Sequence, residues 1–265
     1  MAVRAQSHLK DGRTVWLHGA GPADVPAIAR LFTELSKEAF RSRFQAGQPT
    51  PDLVSGLARI DSPPGTVCVV AAMAAEPGRL AAEARYVPMG EGVAELALTV
   101  LDSYQGAGLG RLLLGALAER ASGSRIERLR AVVSLSNARM LHLLAPYGWV
   151  LAEPTDDFSV ACLEISATGG MPGWPAAGTG RRVLVEQRGW FDSERVTALR
   201  SAGDDVRQCH GPGWLAGRSC PLVTSGRCRL AEEADLIVPL LPGDDEDCAA
   251  VLEAHRRRWP HRLAQ

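Results

Sequence analysis

Lysine is nearly missing: of the 29 basic side chains in 265 residues, only Lys10 and Lys37 are lysine. An arginine bias of this kind is what a GC-rich coding sequence produces, and it needs no functional reason. Charge of one sign is missing too. The formal balance is −1, so nothing pulls the chain as a whole toward nucleic acid or an anionic membrane. No apolar run approaches the ~20 residues of a membrane span, and the first residues lack a secretory pattern. The six cysteines form no C-x2-C pair, which removes the sharp part of a zinc signature. Scattered from Cys68 to Cys248 in a chain large enough to build a core, they suit a reducing, cytoplasmic setting better than a disulfide framework.

What is present is a soluble composition, 46% hydrophobic and 22% charged, enough for one large domain or two smaller ones. One stretch organises it, Val93 to Arg111. An apolar run from Leu96 to Leu101 ends in a glycine-dense turn, Gln105-Gly106-Ala107-Gly108-Leu109-Gly110. Leucines and alanines at helical spacing follow at once, from Arg111 to Arg120. Strand, glycine turn and helix present several backbone N–H groups and a helix N-terminus to an anion. The dinucleotide fingerprint G-x-G-x-x-G does not fit, because Gly110 falls one place early and Arg111 occupies the third glycine position.

Along the chain, residues 1–12 read as a frayed leader and 14–18 as a first strand. Asp24 is placed to cap a helix whose apolar face is Val25, Ile28, Leu31, Phe32 and Leu35, with Pro26 tolerated in its first turn. A short helix is expected over 36–44 and another from Pro51 to Ile60. Strands over 66–74 and 80–87 lead into the organising stretch as an antiparallel meander. A buried strand over 129–135, a helix from Asn137 to Leu144 and a last strand over 158–165 follow. The Gly/Pro-rich segment 168–180 reads as a linker. Beyond it, strands over 182–186, 206–209 and 236–241 alternate with helices over 192–201 and 244–259. That order suggests a small open α/β domain with neighbouring parallel strands.

Gln105 to Gly110 matches Q/R-x-x-G-x-G/A at every fixed position, and the chain over about residues 12–166 resembles the GCN5-related N-acetyltransferases (GNAT). The segment LFTELSKEAFRSRF, Leu31 to Phe44, is similar to bacterial protein lysine acetyltransferases of the Pat type, where it lies over the acceptor side. Asn137 to Gly148-Trp149 resembles that superfamily's N-x10-G-F/W ending. The resemblance implies an α/β (α+β) class: the GNAT fold, a central mixed, mostly antiparallel sheet flanked by helices over 12–166. A linker over 167–180 and a small C-terminal open α/β domain over 181–265 complete the expected division.

It also implies a chemistry, with acetyl-CoA as co-substrate and a protein lysine or small amine as acceptor. Backbone N–H groups of Gly106, Ala107, Gly108, Leu109, Gly110 and Arg111, in the turn opened by Gln105, take the CoA pyrophosphate. Backbone groups of Leu98, Thr99 and Val100 line the pantetheine arm, and the Asn137 side chain contacts the CoA arm. Glu95, ten residues before Gln105, is the implied base, with Glu83 as second candidate. Burial between Ala94 and Leu96 is expected to raise its basicity. Arg41 and Arg43 are candidates to guide the acceptor. The superfamily's acidic tyrosine position, seven residues after Asn137, holds Leu144; a thiolate leaves readily without it. No metal is expected: Cys209-His210, Cys220 and Cys228 read as loop thiols. A second reading is a catalytically silent acyl-CoA sensor that works through residues 181–265. The sequence specifies neither the acceptor nor the oligomeric state.

Overall fold

The computed structural model describes residues 5–44, 49–76, 78–147, 150–153, 160–174, 178–188, 193–209, 211 and 219–264. The chain divides into two compact units, Met1–Ala131 and Val132–Gln265.

The first unit opens with a hairpin, β1 (Ala5–His8) and β2 (Thr14–Gly19), in place of the expected frayed leader. Four rungs from Ala5↔Leu17 to His8↔Thr14 join the two strands. The cause is legible afterwards: Asp11-Gly12 is a turn dipeptide, and Gly12 takes φ +84°. Helix α1 (Val25–Thr33) follows, burying Ile28, Leu31 and Phe32. Asp24 precedes it as its cap residue, but its carboxylate turns instead to the Gly21 N–H and to His18. Next come α2 (Lys37–Phe44) and α3 (Pro51–Leu57), the latter capped by Thr50, whose hydroxyl accepts from the Leu53 N–H.

Three antiparallel strands continue the sheet: β3 (Val67–Met73), β4 (Leu80–Gly90) and β5 (Val93–Val100). β2 pairs with β3, β3 with β4 and β4 with β5. Helix α4 (Leu109–Gly123) buries Leu109, Leu113, Leu114, Leu117, Ala118 and Ala121 and packs across β3, β4 and β5. The parallel strand β6 (Arg128–Ser134) then returns beside β5. Mixed, mostly antiparallel and flanked by helices, this unit has the expected arrangement.

In the second unit, α5 (Ala138–Leu144) precedes the antiparallel pair β7 (Val150–Glu153) and β8 (Val160–Ser166). The remaining elements are β9 (Arg182–Gln187), α6 (Ser193–Ser201), β10 (Asp205–Cys209), α7 (Pro221–Thr224), α8 (Arg229–Glu233), β11 (Leu236–Leu240) and α9 (Glu246–Arg258). β9 lies between β10 and β11, parallel to both. Its Val183-Leu184-Val185 is fully buried, as a central parallel strand requires. The short helices α7 and α8 interrupt what the sequence reads as a plain connection. β10 also pairs antiparallel with β7 through Gln208↔Leu151, and buried Arg207 donates to buried Glu164 at 2.9 Å. Strands from either side of segment 167–180 therefore share one unit. Among the described residues no helix is long and apolar enough to cross a membrane.

Candidate active site

The site begins where two strands part. β5 and β6 pair at Val93↔Arg128, Ala94↔Leu129 and Glu95↔Arg130, and the ladder stops there. On its other edge β5 stays paired with β4 as far as Val100↔Ala82. Among the described residues, the β6-side edge of β5 from Leu96 to Val100 therefore has no ladder partner, which leaves its backbone groups, the Val100 carbonyl excepted, open to a ligand. Five residues of extended strand separate Glu95 from Val100, about 17 Å at ~3.3 Å per residue.

The open edge leads to the glycine turn. Gly106 and Gly108 adopt φ +79° and +92°, angles that side chains resist and that only glycine takes freely. Gly108 is the residue before α4, so the helix begins directly on the turn. Among the described residues, no acceptor meets the N–H groups of Gly106, Ala107, Gly108, Leu109 or Gly110. The next one is used internally, since the Arg111 N–H donates to the Gly108 carbonyl at 3.2 Å. Five consecutive unsatisfied donors at the positive end of a fifteen-residue helix form an anion cradle. The Gln105 side chain donates from Nε2 to the Val100 carbonyl at 3.2 Å, joining turn to strand. The β1–β2 turn joins as well: the Lys10 N–H donates to the Ala107 carbonyl at 3.0 Å, and Arg13 Nη2 to the Ser103 carbonyl at 3.0 Å.

Glu95 stands on the last β5–β6 rung, and its side chain is exposed. The expected burial fails for a geometric reason. Ala94 and Leu96 are buried, but neighbours along a strand point to the opposite face, so their burial does not extend to Glu95. Its own face carries Ala97 and Thr99, and opposite them on β4 stand Arg85 and Glu83.

Glu83, the second candidate base, is spent on structure. Its side chain is fully buried. Arg85 Nε donates to it at 2.9 Å, Arg43 Nη2 and Thr99 Oγ1 at 3.3 Å each, and Cys68 Sγ at 3.4 Å. Burial pushes its carboxyl up, but Arg85 and Arg43 outweigh it and hold the group below the usual carboxylate range. Arg43 is likewise committed: Nε donates to Thr99 Oγ1 at 3.0 Å, so it cannot reach out for an acceptor. Burial draws its guanidinium down against the opposing charges of Glu83 and, more weakly, Glu95. At the other end of α2, Asp102 accepts from the Ser36 N–H at 3.1 Å and from its hydroxyl at 2.9 Å. Helix α2 is thus tied at both ends to β5 and the segment that follows it, while Arg41 remains exposed.

Of the other expected residues, Asn137 belongs to the second unit, where Oδ1 caps α5 by accepting from the Met140 N–H at 3.0 Å. Gly148, Trp149 and His210 lie outside the described residues. Cys209 and Cys228 lie in the second unit with thiols pushed up by burial, Cys228 to about 12, so neither is a ready thiolate.

A parallel strand pair that opens at an acidic residue, with an unsatisfied glycine turn at its far end, suits an acyltransferase site of the GNAT type. Comparison with known proteins gives the same class. Residues 30–149 match the model of the Acetyltransferase (GNAT) family, whose acyl donor is acetyl-CoA. The chain is 32% identical over 160 residues to Acetyltransferase Pat of Mycolicibacterium smegmatis (strain ATCC 700084 / mc(2)155). That match takes in 59% of this chain but only 47% of the relative, so the chain spans about half of that protein's length. The fold is similar to the crystal structure of the GNAT domain of S. lividans PAT, with a TM-score of 0.52 at 24% identity. That similarity covers 62% of this chain and 96% of the other.

Proposed function

We propose that this protein is an acetyl-CoA-dependent N-acetyltransferase that modifies lysine side chains of proteins by direct transfer, with Glu95 as general base. The observation that carries the reading is the end of the β5–β6 ladder at Glu95↔Arg130. It leaves a carboxylate at one end of an open strand edge whose other end is the anion cradle. The pyrophosphate of CoA rests on the N–H groups of Gly106 to Gly110, and the pantetheine arm runs along Leu98, Thr99 and Val100. The thioester carbonyl then lies toward Glu95, polarised by the open backbone groups of β5.

The acceptor amine must shed a proton before it attacks. An exposed carboxylate is a weak base while water surrounds it, and acceptor and donor together displace that water when they fill the opening. The proton passes to Glu95, the nitrogen attacks the thioester carbon, and the C–S bond breaks to release CoA as a thiolate, which takes up the second proton that the nitrogen sheds. The resemblance of Leu31 to Phe44 to Pat-type protein lysine acetyltransferases supports the lysine acceptor over a small amine, and the similarity to a protein named Acetyltransferase Pat is in keeping with it. Residues 181–265 are a candidate regulatory region.

Purified protein given acetyl-CoA should acetylate a lysine-containing peptide with a kcat/KM at least tenfold above that for a small diamine. A preference for the diamine would replace the protein-lysine reading by the small-amine one. The cradle has its own test. Gly108→Ala forces a side chain into φ +92°, at a local cost of about 1–2 kcal/mol, and should weaken CoA binding roughly tenfold in calorimetric titration. An unchanged Kd would remove the glycine turn from the phosphate site.

A further inference from the structure

The segment expected to fray is instead seated on the anion cradle, and it brings a lysine with it. The β1–β2 hairpin holds the glycine turn through the Lys10 N–H to Ala107 carbonyl bond at 3.0 Å. Arg13 reinforces this from the other side of the hairpin turn, donating to the Ser103 carbonyl and lying 4.1 Å over the Tyr104 ring centre. The Lys10 side chain then runs over Gly108: a Cβ built on that glycine would lie 3.7 Å from Cγ, 3.9 Å from Cδ and 3.8 Å from Cε. Three methylenes thus lie over Gly108, the residue before α4 and the middle one of the five whose N–H groups are unsatisfied. Among the described residues no carboxylate pairs with Lys10. The exposed ammonium that this stem carries is within reach of the helix N-terminus, where a full positive charge adds to partial ones.

We infer that Lys10 is a phosphate ligand of the acyl-CoA site. The phosphate half of that site is then assembled from two distant pieces of chain, the N-terminal hairpin and the glycine turn. This rests on the acetyl-CoA reading above and deepens it. The glycine turn supplies directional N–H donors, whereas Lys10 supplies a mobile point charge that follows the phosphates. The arrangement also gives the hairpin a role beyond extending the sheet edge, since it carries the charge to the cradle.

The test uses the full chain and two ligands, CoA and S-acetylpantetheine, which keeps the thioester arm but lacks the nucleotide phosphates. Lys10→Met retains a stem that can pack on Gly108 and removes the charge. The expected result is a five- to tenfold rise in Kd for CoA with no change for S-acetylpantetheine. The dependence of log Kd on log salt should lose about one unit of slope, and Lys10→Arg should restore most of the affinity. A Kd for CoA within twofold of the parent overturns the assignment, and so does an equal loss for both ligands, which marks a packing effect. If the parent protein itself fails to bind CoA, the acetyl-CoA reading falls first and Lys10 with it.

Discussion

Replacing Glu95 with glutamine is expected to lower kcat for acetyl transfer about a hundredfold while leaving the Kd for CoA within twofold of the parent. Glutamine keeps the size and hydrogen-bonding reach of the side chain but accepts no proton at neutral pH. General-base catalysis typically contributes 10²- to 10⁴-fold, and an exposed carboxylate belongs at the lower end of that range. The split between kcat and Kd identifies the role. Glu95 stands at the end of the open edge farthest from the glycine turn, about 17 Å of strand before Val100, so the donor's phosphates do not meet it. Steady-state rates at saturating acetyl-CoA, together with calorimetric titration of CoA, provide both numbers. Unchanged turnover would rule Glu95 out as the base, and a parallel loss of CoA affinity would make it a structural residue.

Replacing Glu83 with glutamine should do its damage to stability. The carboxylate has no exposure and is shared by two guanidinium groups, Arg43 and Arg85, themselves largely buried. Arg85 spends Nη1 on the Leu57 and Arg59 carbonyls at 2.9 and 2.8 Å, and its buried Nη2 has no hydrogen-bond partner among the described residues. Removing the one negative charge from this cluster leaves two buried cations uncompensated. Breaking a buried ion pair from one side costs roughly 3–5 kcal/mol. In a chain of this size that corresponds to a melting temperature lower by about 10 °C, measurable by calorimetry.

The same carboxylate sets an acid limit on the fold. Its folded-state pKa lies below the value of about 4.3 for an exposed glutamate, through Arg85 and Arg43 acting against burial. The unfolded chain therefore binds the proton more readily than the native one. The stabilisation is complete above that unfolded value and disappears as pH falls through the lower folded one. A melting temperature that drops between pH 5 and 3 in the parent, and less steeply in Glu83→Gln, is the expected pattern. Identical slopes would mean that Glu83 is not the titrating group.

The glycine turn was legible in the sequence because its residue types answer to the backbone alone. Gly106 and Gly108 have positive φ, and no other residue takes such angles without strain. Glu95 was reached through the resemblance to Pat-type enzymes, which carry a glutamate ten residues before the position of Gln105, whereas its place at the parting of β5 and β6 depends on a strand pairing that the sequence does not show. Its exposure does not follow from Ala94 and Leu96, because positions one apart on a strand face opposite sides. The second half of the hairpin of residues 5–19 was legible as a strand and Asp11-Gly12 marks its turn, but Ala5-Gln6-Ser7-His8 has no apolar alternation to mark the first half. The Arg43–Glu83–Arg85–Thr99 cluster was out of reach. Its members lie up to 56 residues apart, and which arginine meets which glutamate depends on how α2 crosses β4 and β5. Glu83 and Glu95, similar on paper, are separated in role by that crossing: one is spent on holding the sheet to the helix and the other is left at the opening.

The central claim is that the protein moves an acetyl group and does not merely bind its carrier. The most direct measurement follows free thiol and acetyl-lysine together, after the full chain is incubated with acetyl-CoA and a cell lysate. The account predicts that both rise in proportion to protein and time, and that Glu95→Gln suppresses both. Tight CoA binding in the parent with neither thiol nor acetyl-lysine formed above background would contradict it and leave an acyl-CoA sensor in its place.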